Sequence, residues 1–368
     1  MKILYITNKI SPSGGLERVL AIKTSGLAEQ FQHEVHIVTL NQKDEPVFHD
    51  FSPKIRMHDL AVPVGTLSYL TGYISAIRKI IEEINPDLID VCDDGVKAFL
   101  VPWIAGKKYP VVYERHVSKT IEFNSDSTGF VKKLIIRLKF SLMDSLGKNF
   151  ARFVVLTNGN KLEWSLPNVE VIPNPLTFYP DSTSSLENKK VLAIGRHSFQ
   201  KGFDHLLQAW KIVSNRHPDW ILDLYGKEDP AIGLRKLCKD LQLDGTVQFH
   251  DPVKNIEEQY LASSIYALSS RFEGFGMVLT EAMACGVPCV SYDCPCGPSD
   301  IITSGEDGIL VENGDITQLA EKICFLIENE AERKRMGSNA RKSVTRYSGN
   351  EILAKWHNLF TGLKKSTT

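Results

Sequence analysis

Residues 265–292, IYALSSRFEGFGMVLTEAMACGVPCVSY, read as strand, glycine-rich turn, helix and strand in one continuous run. Residues 265–270 form a short apolar strand, and Glu273-Gly274-Phe275-Gly276 makes the turn. A short apolar helix carrying Glu281 in its first turns ends at Gly286, and a second strand follows over 288–292. Two strands joined by a helix lie parallel in one sheet. A helix N-terminus favours phosphate. Ionised glutamate offers only hydrogen-bond acceptors, which suits the hydroxyls of a polyol. Glu273 and Glu281, eight positions apart across the turn, therefore point to a site for a nucleotide sugar.

The same alternation extends in both directions. Upstream, strands are expected over Lys2–Thr7, Glu34–Leu40, Arg56–Leu60 and residues 88–91, 111–114, 153–156 and 169–172. Residues 66–85 carry Leu70, Ile74, Ile77, Ile80, Ile81 and Ile84 at helical spacing, with Pro86 just past the end. After Pro173-Asn174-Pro175 and a polar, serine-rich stretch over 181–190, strands resume over 191–195, Ile221–Tyr225, Val247–His250, 265–270, 288–292 and Gly308–Val311. Most of these strands are continuous apolar runs, the pattern of strands covered on both faces by helices. The expected fold is α/β: two doubly wound, Rossmann-like domains facing across a cleft. Residues 1–175 form the first domain and 176–348 the second, with a helix over about 349–363 packing across both. Ligands of such sheets bind beyond the carboxyl ends of the strands.

Composition sets wider bounds. At 368 residues the chain exceeds what one core usually organises, which favours two domains. A net charge of −1 gives no global field to recruit nucleic acid, and none is expected as a partner. The start, Met1 to Ile6, turns polar at Thr7-Asn8-Lys9 too soon for a signal peptide, and no apolar stretch approaches a membrane span. A cytoplasmic location is expected, extending to the cytoplasmic face of the inner membrane. The seven cysteines should be reduced there. Four of them, Cys285, Cys289, Cys294 and Cys296, crowd together but lack the two-residue spacing of a zinc knuckle, which favours core packing over metal.

Three further segments fit the cleft. Ser13-Gly14-Gly15 precedes a helix, and its glycines let backbone approach a phosphate or sugar, although a plain turn explains it equally well. Gly195-Arg196-His197-Ser198-Phe199-Gln200-Lys201-Gly202 follows the first strand of the second domain. Arg196 and Lys201 can neutralise a departing diphosphate there, against the alternative of a solvated loop. Tyr113-Glu114-Arg115-His116 ends a first-domain strand. His116 is placed either to act as donor, acceptor or acid, or to play a structural part.

Taken together, these residues resemble the retaining family-4 glycosyltransferases of the GT-B fold. Gly195-Arg196 with Lys201-Gly202 is similar to that family's pyrophosphate motif, and Glu273 to Pro288 to its Glu-x7-Glu motif. Gly14-Gly15 is similar to its N-terminal glycine loop. Asp293 to Ile302 is similar to the version found in enzymes of bacterial exopolysaccharide, capsule and lipid-linked oligosaccharide assembly. The resemblance implies that Arg196 and Lys201 hold the donor diphosphate and that Glu281 accepts from the ribose. It places Glu273 with the backbone of Gly274, Phe275 and Gly276 at the transferred sugar, His116 beside that sugar, and residues 249–254 near the base. Gly14 and Gly15 would let acceptor or phosphate come close. No Asp-x-Asp metal site is present, so no metal and no cofactor are expected.

The reaction so implied moves a hexose or N-acetylhexosamine, UDP-linked with GDP-mannose as the main rival, to a lipid-linked or polysaccharide-precursor acceptor. A sugar-nucleotide epimerase of the same fold and a non-catalytic nucleotide-sugar-binding protein are the alternatives. Residues 130–146 add a membrane question. Phe130, Val131, Leu134, Ile135, Leu138 and Leu142 fall at helical spacing among Lys132, Lys133, Arg137 and Lys139. Such a helix either lies on an anionic bilayer or turns its apolar side to the sheet.

Overall fold

The computed structural model describes every residue except Ser13, Val64, residues 120–129 and Thr368. Ser13, named above with the glycines, and the Phe130 side chain lie outside the described residues. The chain divides into two compact units, Met1–Thr177 with Ser348–Thr368, and Phe178–Tyr347.

Unit 1 holds a seven-stranded sheet. Its strands are β1 (Lys2–Thr7), β2 (Glu34–Leu40), β3 (Arg56–Leu60), β4 (Leu88–Cys92), β5 (Val111–Arg115), β6 (Arg152–Val155) and β7 (Val169–Val171), in the spatial order β3-β2-β1-β4-β5-β6-β7. Every neighbouring pair is parallel. Unit 2 holds β8 (Lys190–Ile194), β9 (Ile221–Tyr225), β10 (Val247–His250), β11 (Ile265–Leu268), β12 (Cys289–Tyr292) and β13 (Gly308–Val311), ordered β10-β9-β8-β11-β12-β13 and again all parallel. These are two α/β domains of the GT-B kind. In each, the chain builds outward on one side of its first strand and then crosses to the other. The crossing lies between β1 and β4 in unit 1 and between β8 and β11 in unit 2, and such a switch point is where open α/β sheets bind ligands.

The apolar runs form strands because both faces of each sheet are covered. Every residue of β4, β5, β11 and β12 is buried. In unit 2, Trp210 and Leu206 of the helix Phe203–Arg216 join Leu222 of β9 and Ile265 of β11 in one core. The polar, serine-rich stretch before β8 is not loose chain. Ser184 donates its amide to Cys285 O (2.9 Å) and its hydroxyl to Ser263 O (2.6 Å). The Leu186 carbonyl accepts from the buried Arg333 guanidinium at 3.1 and 3.2 Å. The C-terminal helix Gly349–Thr367 packs on the helix Gly15–Glu29 within unit 1, where Trp356 covers Lys23 and Lys364 pairs with Asp87 at 3.0 Å.

The helix Phe130–Gly147 settles which of its faces is inside. Ile136, Phe140 and Met143 are buried in the core of unit 1. The stripe read from the sequence is the other one. Val131, Leu134, Ile135, Leu138 and Leu142 are exposed, Ile135 by 60% and Leu138 by 63%. The helix is apolar on two faces, and the basic residues Lys132, Lys133 and Arg137 border the outer one. Among the described residues, no helix is long and apolar enough to cross a membrane.

Candidate active site

In unit 2 the switch point brings together residues that lie far apart in the chain. Lys201 stands in the turn after β8, and Glu273 in the turn after β11. Lys201 Nζ lies 2.7 Å from Glu273 Oε1, with Glu273 only 5% exposed. Gly202 makes this approach possible. Its φ is +61°, and a Cβ there would sit 2.1 Å from the Ser269 carbonyl oxygen. The two loops are also stitched by backbone. The Arg271 amide donates to Gln200 O at 2.8 Å, Gln200 Nε2 to Phe272 O at 3.1 Å, and the Ser269 hydroxyl to Lys201 O at 2.9 Å.

The second glutamate sits in the helix Met277–Ala284, whose N-cap, Gly276, supplies no side-chain bond to the first amides. Glu281 is buried, and its Oε2 accepts from the Tyr260 hydroxyl at 2.9 Å. Burial, followed by the Glu281 charge, pushes the Tyr260 phenol well above its ordinary range, so it stays a donor. A strap over residues 293–297 braces the glycine turn. Glu273 N donates to Pro295 O at 3.2 Å, and a Cβ on Gly297, at φ +138°, would clash with Phe275 O at 2.1 Å. Arg196 is exposed and makes no ion pair among the described residues. Around residues 249–254, Arg235 lies over the Phe249 ring and Tyr225 stacks on His250 with 4.3 Å between centroids.

In unit 1, Gly14 and Gly15 are exposed where β1 gives way to the helix Gly15–Glu29, and Gly14 is its N-cap. His116 leaves β5 with Nε2 3.2 Å from Glu114 Oε2. Its backbone N–H donates to Asp94 Oδ1 at 3.3 Å. The Arg115 guanidinium donates to Asp94 O and Val117 O at 2.8 Å each and holds the turn. Burial raises the Asp94 carboxyl, against the lowering effect of Arg115 and His116.

Comparisons with known proteins give the family. Residues 178–343 match the family model for glycosyl transferases group 1, and residues 11–147 the model for glycosyl transferase 4-like proteins. The chain belongs to these glycosyltransferases. It is 27% identical to an uncharacterised glycosyltransferase of Haemophilus influenzae over 96% of this chain and 98% of that one. It is 29% identical to the amylovoran biosynthesis glycosyltransferase AmsD of Erwinia amylovora over 97% and 99%. The solved structure of HepE from Anabaena, in complex with UDP and glucose, superposes with a TM-score of 0.77 at 21% identity, covering 98% of this chain and 99% of that one.

Several residues that organise this glycosyltransferase were not singled out from its sequence. Arg271 is bidentate to Asp204 at 2.9 and 2.6 Å, donates to Phe199 O at 2.7 Å and lies over the Phe199 ring. Burial by itself raises the Asp204 carboxyl, and the Arg271 hydrogen bonds and charge bring it below its ordinary value. This clamp fixes the loop that carries Lys201 to the loop that carries Glu273. Arg271 stands two positions before Glu273, but nothing local marks Asp204 as its neighbour in space, or Tyr260 as the neighbour of Glu281. The four clustered cysteines behave as small hydrophobes. All seven are buried, and burial pushes the Cys285 thiol up to about 12. Among the described residues, the group with metal-ligand proximity is a different one: Cys92, Glu114 and His116 hold their ligand atoms within 4.8 Å of one another. The ammonium of Lys23 already occupies Glu114 Oε1 in that group.

Proposed function

We propose that this glycosyltransferase transfers a hexose or N-acetylhexosamine, with retention, from a UDP-sugar to a lipid-linked or polysaccharide-precursor acceptor, without a metal. The observation that carries the reading is the Lys201–Glu273 pair at the switch point of unit 2. Lys201 has three donors, and one serves Glu273, which leaves two for diphosphate oxygens. Arg196, exposed on the same loop, supplies a second cation for the leaving group. Glu273 with the Gly274, Phe275 and Gly276 backbone takes the sugar, and Glu281, held by Tyr260, takes the ribose. In unit 1, His116 meets a substrate hydroxyl, and Gly14-Gly15 leaves room for acceptor or phosphate. The retaining course fits a site in which the leaving phosphate, held by cations, helps to deprotonate the acceptor on the same face.

The uridine base is carried over from HepE, and the polysaccharide acceptor from the name of AmsD. A thermal-shift panel tests the base directly. Saturating UDP should raise the melting temperature, by about 2–4 kcal/mol of linked stability at a few hundred times Kd, and GDP should raise it far less. A larger shift with GDP would reassign the donor.

The outer face of the helix Phe130–Gly147 supports docking on an anionic membrane, the surface on which a lipid-linked acceptor sits. Five exposed apolar side chains with basic neighbours match the chemistry of such a surface. The protein should sediment with vesicles rich in anionic lipid and stay free with neutral ones. The double variant Leu134→Glu, Leu138→Glu should lose about tenfold or more in partitioning. Equal binding to both vesicle types, or to neither, would remove the membrane from the reading.

A further inference from the structure

Behind His116 lies a buried ionic cluster with no part in the roles assigned above. Glu114 is 2% exposed. Its Oε1 receives the ammonium of Lys23, from the helix Gly15–Glu29, and the Cys92 thiol at 2.9 Å. Its Oε2 faces His116 Nε2 at 3.2 Å. Lys23 is 1% exposed, lies over the rings of Tyr5 and Trp356, and has a second carboxylate, Asp90, at 3.6 Å. A charged lysine so deep is tolerated only when it is paired.

The two carboxylates do not share the negative charge equally. Burial alone raises Glu114, but the Lys23 charge and the His116 hydrogen bond overcome it and hold Glu114 well below the usual carboxylate range. Burial, and then the Glu114 charge, push Asp90 well above that range. The ammonium, in contact with Glu114 and 3.6 Å from Asp90, therefore favours the negative charge on Glu114. An ionised Glu114 can only accept. Whatever nitrogen of His116 faces it must carry a proton.

We infer that Glu114 is a positioning residue that keeps the His116 proton on Nε2, so that Nδ1 is presented as a hydrogen-bond acceptor to a substrate hydroxyl. The inference rests on the reading above that His116 meets substrate. Lys23 acts one step further back, by keeping Glu114 ionised in a dry site. The Arg115 and Asp94 contacts hold the backbone of the same turn, so the ring is carried on a fixed backbone.

The chemistry of the amide makes Glu114→Gln a sharp test. Lys23 has only donors, so it takes the amide oxygen, and the amide NH2 turns toward His116 Nε2. That nitrogen must then accept, and the proton moves to Nδ1. Asp90, still 3.6 Å from Lys23, can ionise to balance the ammonium. Histidine labelled with nitrogen-15 reports the tautomer in long-range proton–nitrogen spectra, with the His116 signals assigned by their loss in His116→Gln. In the wild-type protein near neutral pH, Nε2 should be the protonated nitrogen and Nδ1 the bare one. In Glu114→Gln the two should exchange, kcat should fall about tenfold, and KM for donor should move less than about twofold. Glu114→Asp, which keeps the charge, should recover the wild-type tautomer.

A wild-type spectrum with Nε2 bare, or with both nitrogens protonated, overturns the inference, and that measurement stands even if Glu114→Gln does not fold. An unchanged tautomer in a folded Glu114→Gln also overturns it. The underlying reading fails separately: His116→Ala with full transfer activity would remove His116 from the substrate while leaving the tautomer result intact.

Discussion

Glu273→Gln should lose about a hundredfold or more in turnover while its affinity for UDP stays within about threefold of the parent. The glutamine keeps the shape of the side chain and can still accept from Lys201 through its amide oxygen. What disappears is a full negative charge, 5% exposed, at the point where the proposed transfer leaves positive character on the sugar. An interaction that strengthens only in the transition state is lost from kcat and not from ground-state binding. Initial rates with saturating donor, together with titration calorimetry for UDP, separate the two quantities. Near-parental turnover in a folded Glu273→Gln would take the sugar away from this loop. Parallel loss of UDP binding would mean that Glu273 organises the nucleotide pocket instead.

Lys201→Ala should fail differently, losing donor binding and turnover together. A charge-assisted hydrogen bond to a phosphate oxygen contributes about 1.5–3 kcal/mol, so UDP affinity should fall about ten- to a hundredfold. The free protein should weaken as well. Removing the ammonium leaves Glu273 buried without its 2.7 Å partner, an unsatisfied group that costs about 1–3 kcal/mol. Calorimetric unfolding should therefore show a lower melting temperature for apo Lys201→Ala than for the parent, and added UDP should widen the gap, because it binds the parent more tightly. If UDP binds Lys201→Ala as tightly as the parent, the diphosphate lies elsewhere, and Arg196 is the next residue to replace.

The strands were legible because of where they lie. A strand covered on both faces must be apolar at every position, so β4, β5, β11 and β12 appear as continuous runs that local pattern alone can find. Their ends shifted by a residue or two, as at β11, which stops at Leu268 where residues 265–270 were expected. Hydrogen bonding to the neighbouring strand decides an end, and a single chain segment carries no record of its neighbour. The serine-rich stretch before β8 looked like linker because its side chains are polar. Its packing on unit 2 depends on partners such as Arg333, 147 residues away from Leu186.

The candidate site divides in the same way. Glu273, Glu281, Arg196, Lys201 and His116 could each be named from a strand end followed by a glycine or a charge. The Glu114–His116 contact was also within reach of the sequence, since residues two apart share a face at a strand end. The Arg271–Asp204 clamp, the Tyr260–Glu281 bond and the Lys23–Glu114 pair were not, for they join residues 67, 21 and 91 positions apart.

By itself, then, the sequence determined the two parallel α/β sheets, the glycine turns at their switch points and the identity of the charged residues there. Periodicity and backbone chemistry are local, and they act before the chain closes. Only the tertiary structure decided which charges neutralise one another and which apolar face of the helix Phe130–Gly147 stays in water. That helix carries two apolar stripes, and just one of them, Ile136, Phe140 and Met143, found a core to fill. Pairing and burial are set by what lies opposite in space, and the side chain opposite is written elsewhere in the chain.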